Sequence, residues 1–157
     1  MKINSNFIAP CGLYCGVCGV LYATRDDNPK FKERLVGVYK GQLPGWDNLS
    51  TEDIHCEGCL SENPFRYCTE CSIKTCTVAR GYMGCHECAD FPCRLIEDFP
   101  QPVGKKVILR AIPHWREVGT EKFIRDEEAR YICPKCGHRL FRGAKRCNKC
   151  KLEVDLD

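Results

Sequence analysis

Apolar residues recur at helical spacing in three separate stretches of the chain. The first runs from Phe31 to Tyr39 and predicts an amphipathic helix over residues 29–40. Asn28 is suited to the N-cap of this helix and Pro29 to its first position, where the missing amide hydrogen costs nothing. This region should therefore present one apolar face to a core.

The other two stretches lie after the middle of the chain. The apolar pattern over residues 103–118 predicts a second helix, which Pro113 is expected to kink or split. A last helix should begin at Thr120, after a glycine stop. Between Phe91 and Phe99 a shorter pattern predicts a helix that starts inside a cysteine repeat. Helices should thus dominate the second half.

Residues 56–93 contain too few apolar positions for regular core elements and predict knuckles and short turns. Near the N-terminus, a loop should lead into a short helix with Cys15 and Cys18 close to its start. The fold class expected is a small metal-stapled protein, mainly α, with zinc knuckles and a C-terminal β-hairpin zinc ribbon. The predicted parts are a cysteine-rich metal-binding domain (1–100), a helical connector (101–131) and a zinc ribbon (132–157).

The spacing of the cysteines indicates metal binding. Thiols two residues apart on a tight turn can hold one cation, and Cys-x2-Cys is a common half-site for tetrahedral zinc. A Cys-x2-Cys-x4-Cys unit occurs twice, seventeen residues apart, and one more pair lies upstream. The simplest partition gives two four-cysteine zinc sites, although duplicated units can exchange partners: Cys56, Cys59, Cys68 and Cys71 on one ion, and Cys76, Cys85, Cys88 and Cys93 on the other.

The N-terminal motif leaves several alternatives open. Cys11, Cys15 and Cys18 have the Cys-x3-Cys-x2-Cys spacing of radical S-adenosylmethionine proteins, but the chain lacks the length and the strand–helix alternation of their barrel. The three thiols could instead hold a zinc ion with a fourth ligand from His55, His86 or Cys93. A non-radical iron–sulfur cluster is equally compatible with cysteine ligands.

The C-terminal cysteines give the most specific local signal. Cys133-Pro-Lys-Cys136-Gly is a rubredoxin-type knuckle, and a second knuckle begins at Cys147 and ends at Cys150. Two knuckles at this separation predict a zinc ribbon that folds only when loaded, because two short strands are not stable alone. Lys151 stands where the first knuckle has glycine, so the second turn should be less regular. With the other sites, about three zinc ions are expected.

Composition separates metal sites from disulfides. Fifteen cysteines in 157 residues are far above ordinary usage. The odd count, the close pairs and the absence of an apolar leader or membrane span favour a reducing, cytoplasmic location with thiolate–metal sites.

Charge is concentrated in the ribbon. The net charge of the chain is +3, yet residues 130–151 carry eight lysines and arginines and no acidic residue. A ribbon of this charge, with Phe141 as a stacking face, could bind nucleic acid or dock on an acidic protein. The candidate nucleic-acid contacts are Arg139, Arg142, Lys145, Arg146 and Lys149.

The ordered cysteine motifs from Cys11 to Cys93, with Gly58 between one pair and Phe91-Pro92 before the last cysteine, resemble a prokaryotic cysteine-rich family. It is catalogued as domain of unknown function 3795, and similar proteins often carry a C-terminal zinc ribbon. The resemblance implies a small metal-binding protein and brings no substrate or catalytic residue.

Two functional hypotheses follow from these patterns. The first is a zinc-binding adaptor module, not an enzyme, whose basic ribbon contacts a partner. The second is an iron–sulfur or labile-metal protein for redox chemistry or metal handling, centred on Cys11, Cys15 and Cys18. The sequence contains no Ser/His/Asp arrangement, glycine-rich phosphate loop or paired-carboxylate motif that would indicate a catalytic site.

Overall fold

The computed structural model describes residues 2–43 and 45–157. Its helices surround a large apolar cluster and a smaller one, and the smaller contains Val20 and Leu35 of the first two helices. Short 3-10 turns lie at Ser5–Phe7, Cys15–Val17, Thr51–Asp53 and Cys85–Glu87. In chain order the helices are α1 (Gly19–Arg25), α2 (Pro29–Tyr39), α3 (Arg66–Thr69), α4 (Ser72–Arg80), α5 (Arg94–Glu97), α6 (Pro102–Val118) and α7 (Thr120–Arg130).

The three periodic stretches form helices at the predicted places. The side chain of Asn28 accepts a hydrogen bond from the amide of Phe31 at 3.1 Å and so caps α2. Pro113 lies inside α6 without dividing it. Thr120 opens α7 directly after Gly119, which ends α6. Periodicity was therefore a sufficient guide for these helices.

The prediction of irregular structure over residues 56–93 was wrong at α4. Nine residues form a regular helix there, although only Ile73 and Thr77 are buried. The helix predicted between Phe91 and Phe99 is reduced to the four residues of α5.

The core has its centre on α6. Trp115 is completely buried and stacks on Phe123 of α7, with 5.1 Å between ring centroids. The same cluster continues to Ile8 near the N-terminus and to Leu140 in the ribbon. Residues from all three predicted parts thus share one core, and the boundaries between the parts stay predictions.

In the ribbon region, residues 131–157, each knuckle is closed by a single antiparallel bridge and not by paired strands. The bridges join Ile132 to Arg139 and Arg146 to Glu153, and the described residues contain no longer β-ladder. The predicted β-hairpin is thus seen only as two small closed loops.

The two knuckle turns have the same backbone. The amide of Gly137 donates to the Cys133 carbonyl at 2.9 Å, and that of Lys151 donates to the Cys147 carbonyl at 3.0 Å. Lys151 has a φ of 64°, close to the 68° of Gly137. The expected irregularity of the second turn is absent, because Lys151 adopts the left-handed conformation that glycine takes in the first.

None of the helices in the described part of the chain combines the length and apolar character that crossing a bilayer requires.

Candidate metal centres

The ribbon region brings four sulfur atoms to one point. The Sγ atoms of Cys133, Cys136, Cys147 and Cys150 all lie within 4.8 Å of one another. Across the two knuckles the Sγ–Sγ distances are 3.6 Å for Cys133–Cys150 and 3.7 Å for Cys136–Cys147. Tetrahedral zinc with bonds of about 2.3 Å would place sulfurs about 3.8 Å apart. This tetrad can therefore hold a single metal ion with little rearrangement.

Backbone amides lower the pKa of two thiols of the tetrad. Amides of Cys150 and Lys149 donate to Cys147 and, against the effect of burial, lower the pKa of its thiol to about 6. Burial also opposes ionisation of Cys133, but amides of Cys136 and Lys135 lower its pKa below the ordinary value. Thiolates are the metal-binding form of cysteine, so these donors favour the state that an ion needs.

Seven of the other eleven cysteines converge on one cavity. Its volume is about 390 Å³, and its walls come from the N-terminal loop, α1, α2, the residues around α3 and the ribbon region. All seven cysteines from the N-terminus to α4 line it, and we call it the seven-cysteine cavity: Cys11, Cys15, Cys18, Cys56, Cys59, Cys68 and Cys71.

Direct contacts connect the two sets of cysteines that the sequence analysis separated. The amide of Cys59 donates to Sγ of Cys15 at 3.3 Å. The thiols of Cys59 and Cys68 also influence each other, since their interaction lowers the pKa of Cys59 and raises that of Cys68. Burial, and then the nearby Cys59 thiol, raise the pKa of Cys11 well above its ordinary value. The three cysteines of the N-terminal motif therefore line the same cavity as the two pairs between Cys56 and Cys71.

The sulfurs of this cavity are more widely spaced than those of the ribbon. Among residues 2–43 and 45–157, only the ribbon tetrad has three or more potential ligand atoms within 4.8 Å. The cavity volume is more than tenfold the ~30 Å³ share of a water molecule. A single ion could not reach all seven sulfurs, so the cavity suits a larger group.

Two residues fix the backbone around the cavity. Lys74 of α4 donates from Nζ to the carbonyls of Cys68 at 2.6 Å and Cys59 at 3.2 Å, and so ties two cysteine loops together. Gly58 has a φ of +119°, and a Cβ atom there would lie 2.6 Å from the Asn6 carbonyl oxygen. Only glycine fits this turn without displacing the backbone.

Arg142 brings a positive charge to the cavity wall. Its Nη2 donates to the Tyr14 carbonyl at 2.7 Å, and its amide donates to the Val17 carbonyl at 2.9 Å. The Nε atom is buried and finds no hydrogen-bond acceptor in the part of the chain that the structure describes. A thiolate around a metal centre would be a suitable acceptor for this single unpaired donor atom of the guanidinium.

The four cysteines that belong to neither the tetrad nor the cavity surround a small recess of about 20 Å³: Cys76, Cys85, Cys88 and Cys93. Burial and then the neighbouring thiols of Cys93 and Cys88 raise the pKa of Cys85 to about 12. Arg80 donates to Sγ of Cys88 at 3.5 Å and to Asp90 at 3.0 Å. The structure thus gathers the predicted set, and its binding of a single ion stays a prediction.

The candidate nucleic-acid residues do not form one surface. Arg142 faces the seven-cysteine cavity, which corrects its assignment as a surface contact, and Lys145 lines the same cavity. Arg146 lies 3.5 Å from Glu153 in an exposed ion pair. Lys149 is exposed. Of the five candidates, only Arg139 lines the groove between the ribbon region and helices α1 and α2.

The histidines considered as fourth ligands have other contacts. His55 pairs with Glu57 at 3.3 Å on the surface. His86 stacks on Trp115 with 3.7 Å between ring centroids. Cys93, the third candidate, belongs to the recess.

A helical chain that gathers its cysteines at three places, all fifteen of them free thiols, defines a cysteine-rich protein with a candidate metal-binding cluster. The family model described as "Protein of unknown function (DUF3795)" matches residues 7–98, more than half of the chain, and the protein belongs to that family. The match contains the seven cysteines of the cavity and the four cysteines of the recess, and it ends before the ribbon region. Comparisons with curated proteins and with solved structures found no match.

Proposed function

We propose that the protein is an iron–sulfur protein that transfers electrons, with its cluster in the seven-cysteine cavity. The observation that carries the proposal is the gathering of seven cysteines around about 390 Å³ without three sulfurs close enough for one ion. Cysteine thiolates are the usual ligands of such clusters, whose iron and sulfide atoms hold the ligands apart.

Arg142 supports the same assignment independently of the cysteines. Its unpartnered buried Nε fits beside an anionic cluster, where a positive charge also stabilises the reduced form. The bound cluster would supply one-electron redox chemistry, while the chain provides ligands, charge and partial exclusion of water. Val38 and Gln42 at the mouth of the cavity are exposed, so an electron-transfer partner could approach there.

Zinc is the ion that we assign to the ribbon tetrad and to the recess. In the ribbon, the Sγ–Sγ distances of 3.6 and 3.7 Å agree with a closed tetrahedral site, which is structural and not catalytic. The recess has room for about one ion. Thiol sites of both kinds persist in a reducing compartment, which supports the cytoplasm as the location.

Anaerobic purification followed by metal, sulfide and spectroscopic measurement tests the proposal. We expect a brown protein with iron and acid-labile sulfide in about equal numbers, a signal in electron paramagnetic resonance on reduction, and zinc in addition. A colourless protein that contains only zinc would refute it in favour of a zinc-stapled adaptor.

Matched cysteine variants locate the cluster. The double variant Cys18→Ser/Cys68→Ser should lose iron, sulfide and colour while keeping zinc. The control Cys76→Ser changes a half-buried cysteine of the recess and should lose zinc while keeping the colour. Retention of the full iron content in the double variant would place the cluster elsewhere.

A further inference from the structure

A groove lies between the ribbon region and the first two helices, and residues of both knuckle turns line part of it. Its volume is about 770 Å³, and Arg139 and Phe141 form the ribbon side. Tyr22 of α1 and Phe31 of α2 form the opposite wall. The three aromatic rings are half-buried, so each leaves part of its surface open to the groove.

Positive charge surrounds these rings. Five exposed lysines and arginines line the groove, against a single carboxylate, that of Asp26. The five cations come from three separate segments of the chain: Arg25, Lys30, Arg34, Arg139 and Lys151. The groove therefore favours an anionic ligand along its length.

The aromatic and cationic groups are interleaved. The guanidinium of Arg139 lies over the Tyr22 ring, 5.4 Å from its centroid. The rings of Phe31 and Phe141 touch across the boundary between α2 and the ribbon, with 4.9 Å between centroids. Flat apolar faces beside phosphate-binding cations are the combination that unpaired bases and their backbone require.

We propose that this groove binds single-stranded nucleic acid, with bases on the aromatic faces and phosphates on the surrounding lysines and arginines. An acidic protein would satisfy the charges but would not use the aromatic faces. A duplex would hide its bases from the rings. The inference is independent of the cluster, because the groove shares only Phe141 with the lining of the seven-cysteine cavity.

Fluorescence anisotropy with a labelled oligouridylate of about 12 nucleotides tests the proposal, since binding sites of this type span about 4–16 nucleotides. The full-length metal-loaded protein should bind it, with affinity that falls as salt rises. Arg34→Gln/Arg139→Gln should reduce the log–log salt slope by about 1.4, because each phosphate contact on a single strand contributes about 0.7.

Arg146→Gln/Lys149→Gln is the matched control, because it removes the same charge from ribbon residues outside the groove. Its slope should stay close to that of the unaltered protein. Tyr22→Leu should weaken binding roughly five- to 150-fold, the range for loss of one stacked base, and leave the slope unchanged. Unaltered iron and zinc contents in each variant will show that the fold is intact.

Three results would overturn the inference. The first is no binding at low salt, and the second is an equal loss of slope in both charge variants. The third is equal affinity for duplex RNA or full competition by polyglutamate, which would assign the groove to a duplex or to an acidic protein. An oligonucleotide-binding protein without iron would refute only the electron-transfer proposal.

Discussion

The ribbon tetrad and the seven-cysteine cavity offer the same ligand atom at different spacings and with different backbone support. In the ribbon, amide donors lower the pKa of Cys147 to about 6, and four sulfurs meet within 4.8 Å. In the cavity, burial raises the pKa of Cys11 and Cys15, and the sulfurs stand farther apart. The ribbon is thus arranged for one ion by its own backbone. In the cavity, the positively charged iron–sulfide core that we propose would make the thiols ionise, and the cluster together with its thiolates would be anionic.

The largest effect on stability should come from removing one cysteine of the ribbon tetrad. Cys136→Ser should abolish metal binding by the tetrad and unfold the ribbon region, because structural zinc contributes about 10–16 kcal/mol. Thermal unfolding and zinc content measure the effect.

Cys136→His is the control for this loss, since imidazole also ligates tetrahedral zinc. It should retain the ion and most of the stability. Full stability of the Cys136→Ser protein would show that the ribbon does not depend on metal.

The second test compares one glycine from each region. Gly58→Ala should cost about 3 kcal/mol or more and reduce the iron content, because its Cβ would meet the Asn6 carbonyl at 2.6 Å in a strained backbone. Gly137→Ala has open space around its Cβ and should cost only about 1–2 kcal/mol, from its φ of +68°. Chemical denaturation gives both values, and equal costs would contradict the crowding assigned to the cavity.

Arg142→Gln tests whether the positive charge of Arg142 affects the reduction potential of the proposed cluster. Loss of the cation should lower the reduction potential by on the order of 60 mV, equivalent to an interaction of about 1.4 kcal/mol. Arg139→Gln removes a cation from the neighbouring groove and should leave the potential nearly unchanged. Redox titration of the two variants measures this difference. Equal reduction potentials would show that Arg142 does not interact with the cluster.

The smallest effect should come from the second knuckle. Lys151→Gly relieves a left-handed lysine with a φ of 64° and should stabilise the ribbon region by about 1 kcal/mol. Gly137→Lys makes the reverse change in the first knuckle and should destabilise it by a similar amount. Denaturation midpoints measure both changes in stability. If Lys151→Gly destabilises the protein, the contacts of the lysine side chain stabilise the ribbon region by more than the left-handed backbone destabilises it.

Sequence reasoning predicted the ribbon tetrad and the helices α2, α6 and α7, because both depend on residues close together in the chain. It missed α4, where Lys74 and its polar neighbours leave a weak apolar face. It could not predict that Cys15 meets Cys59, since forty-four residues separate them and only tertiary packing joins them.

Arg142 was misplaced because charge alone was taken to mean exposure. A local signal could have corrected this: Phe141 precedes Arg142, and Gly143 and Ala144 follow it, whereas Arg146 has Lys145 beside it. A lone arginine among small and aromatic residues is more consistent with an inward position. The groove residues Tyr22 and Arg34 were missed for a different reason, because they come from helices distant in sequence from the ribbon.

The residues that line the cavity are synthesised at two different times, so the cavity can close only late in synthesis. All seven of its cysteines precede Ser72, while Arg142, Gly143 and Lys145 on its ribbon side come near the end of the chain. At ordinary translation speeds of about 5–20 residues per second, roughly 3–12 s separate synthesis of the last of these cysteines from that of the first knuckle. The cluster that we propose would have this interval in which to enter the cavity, before the ribbon region covers that side.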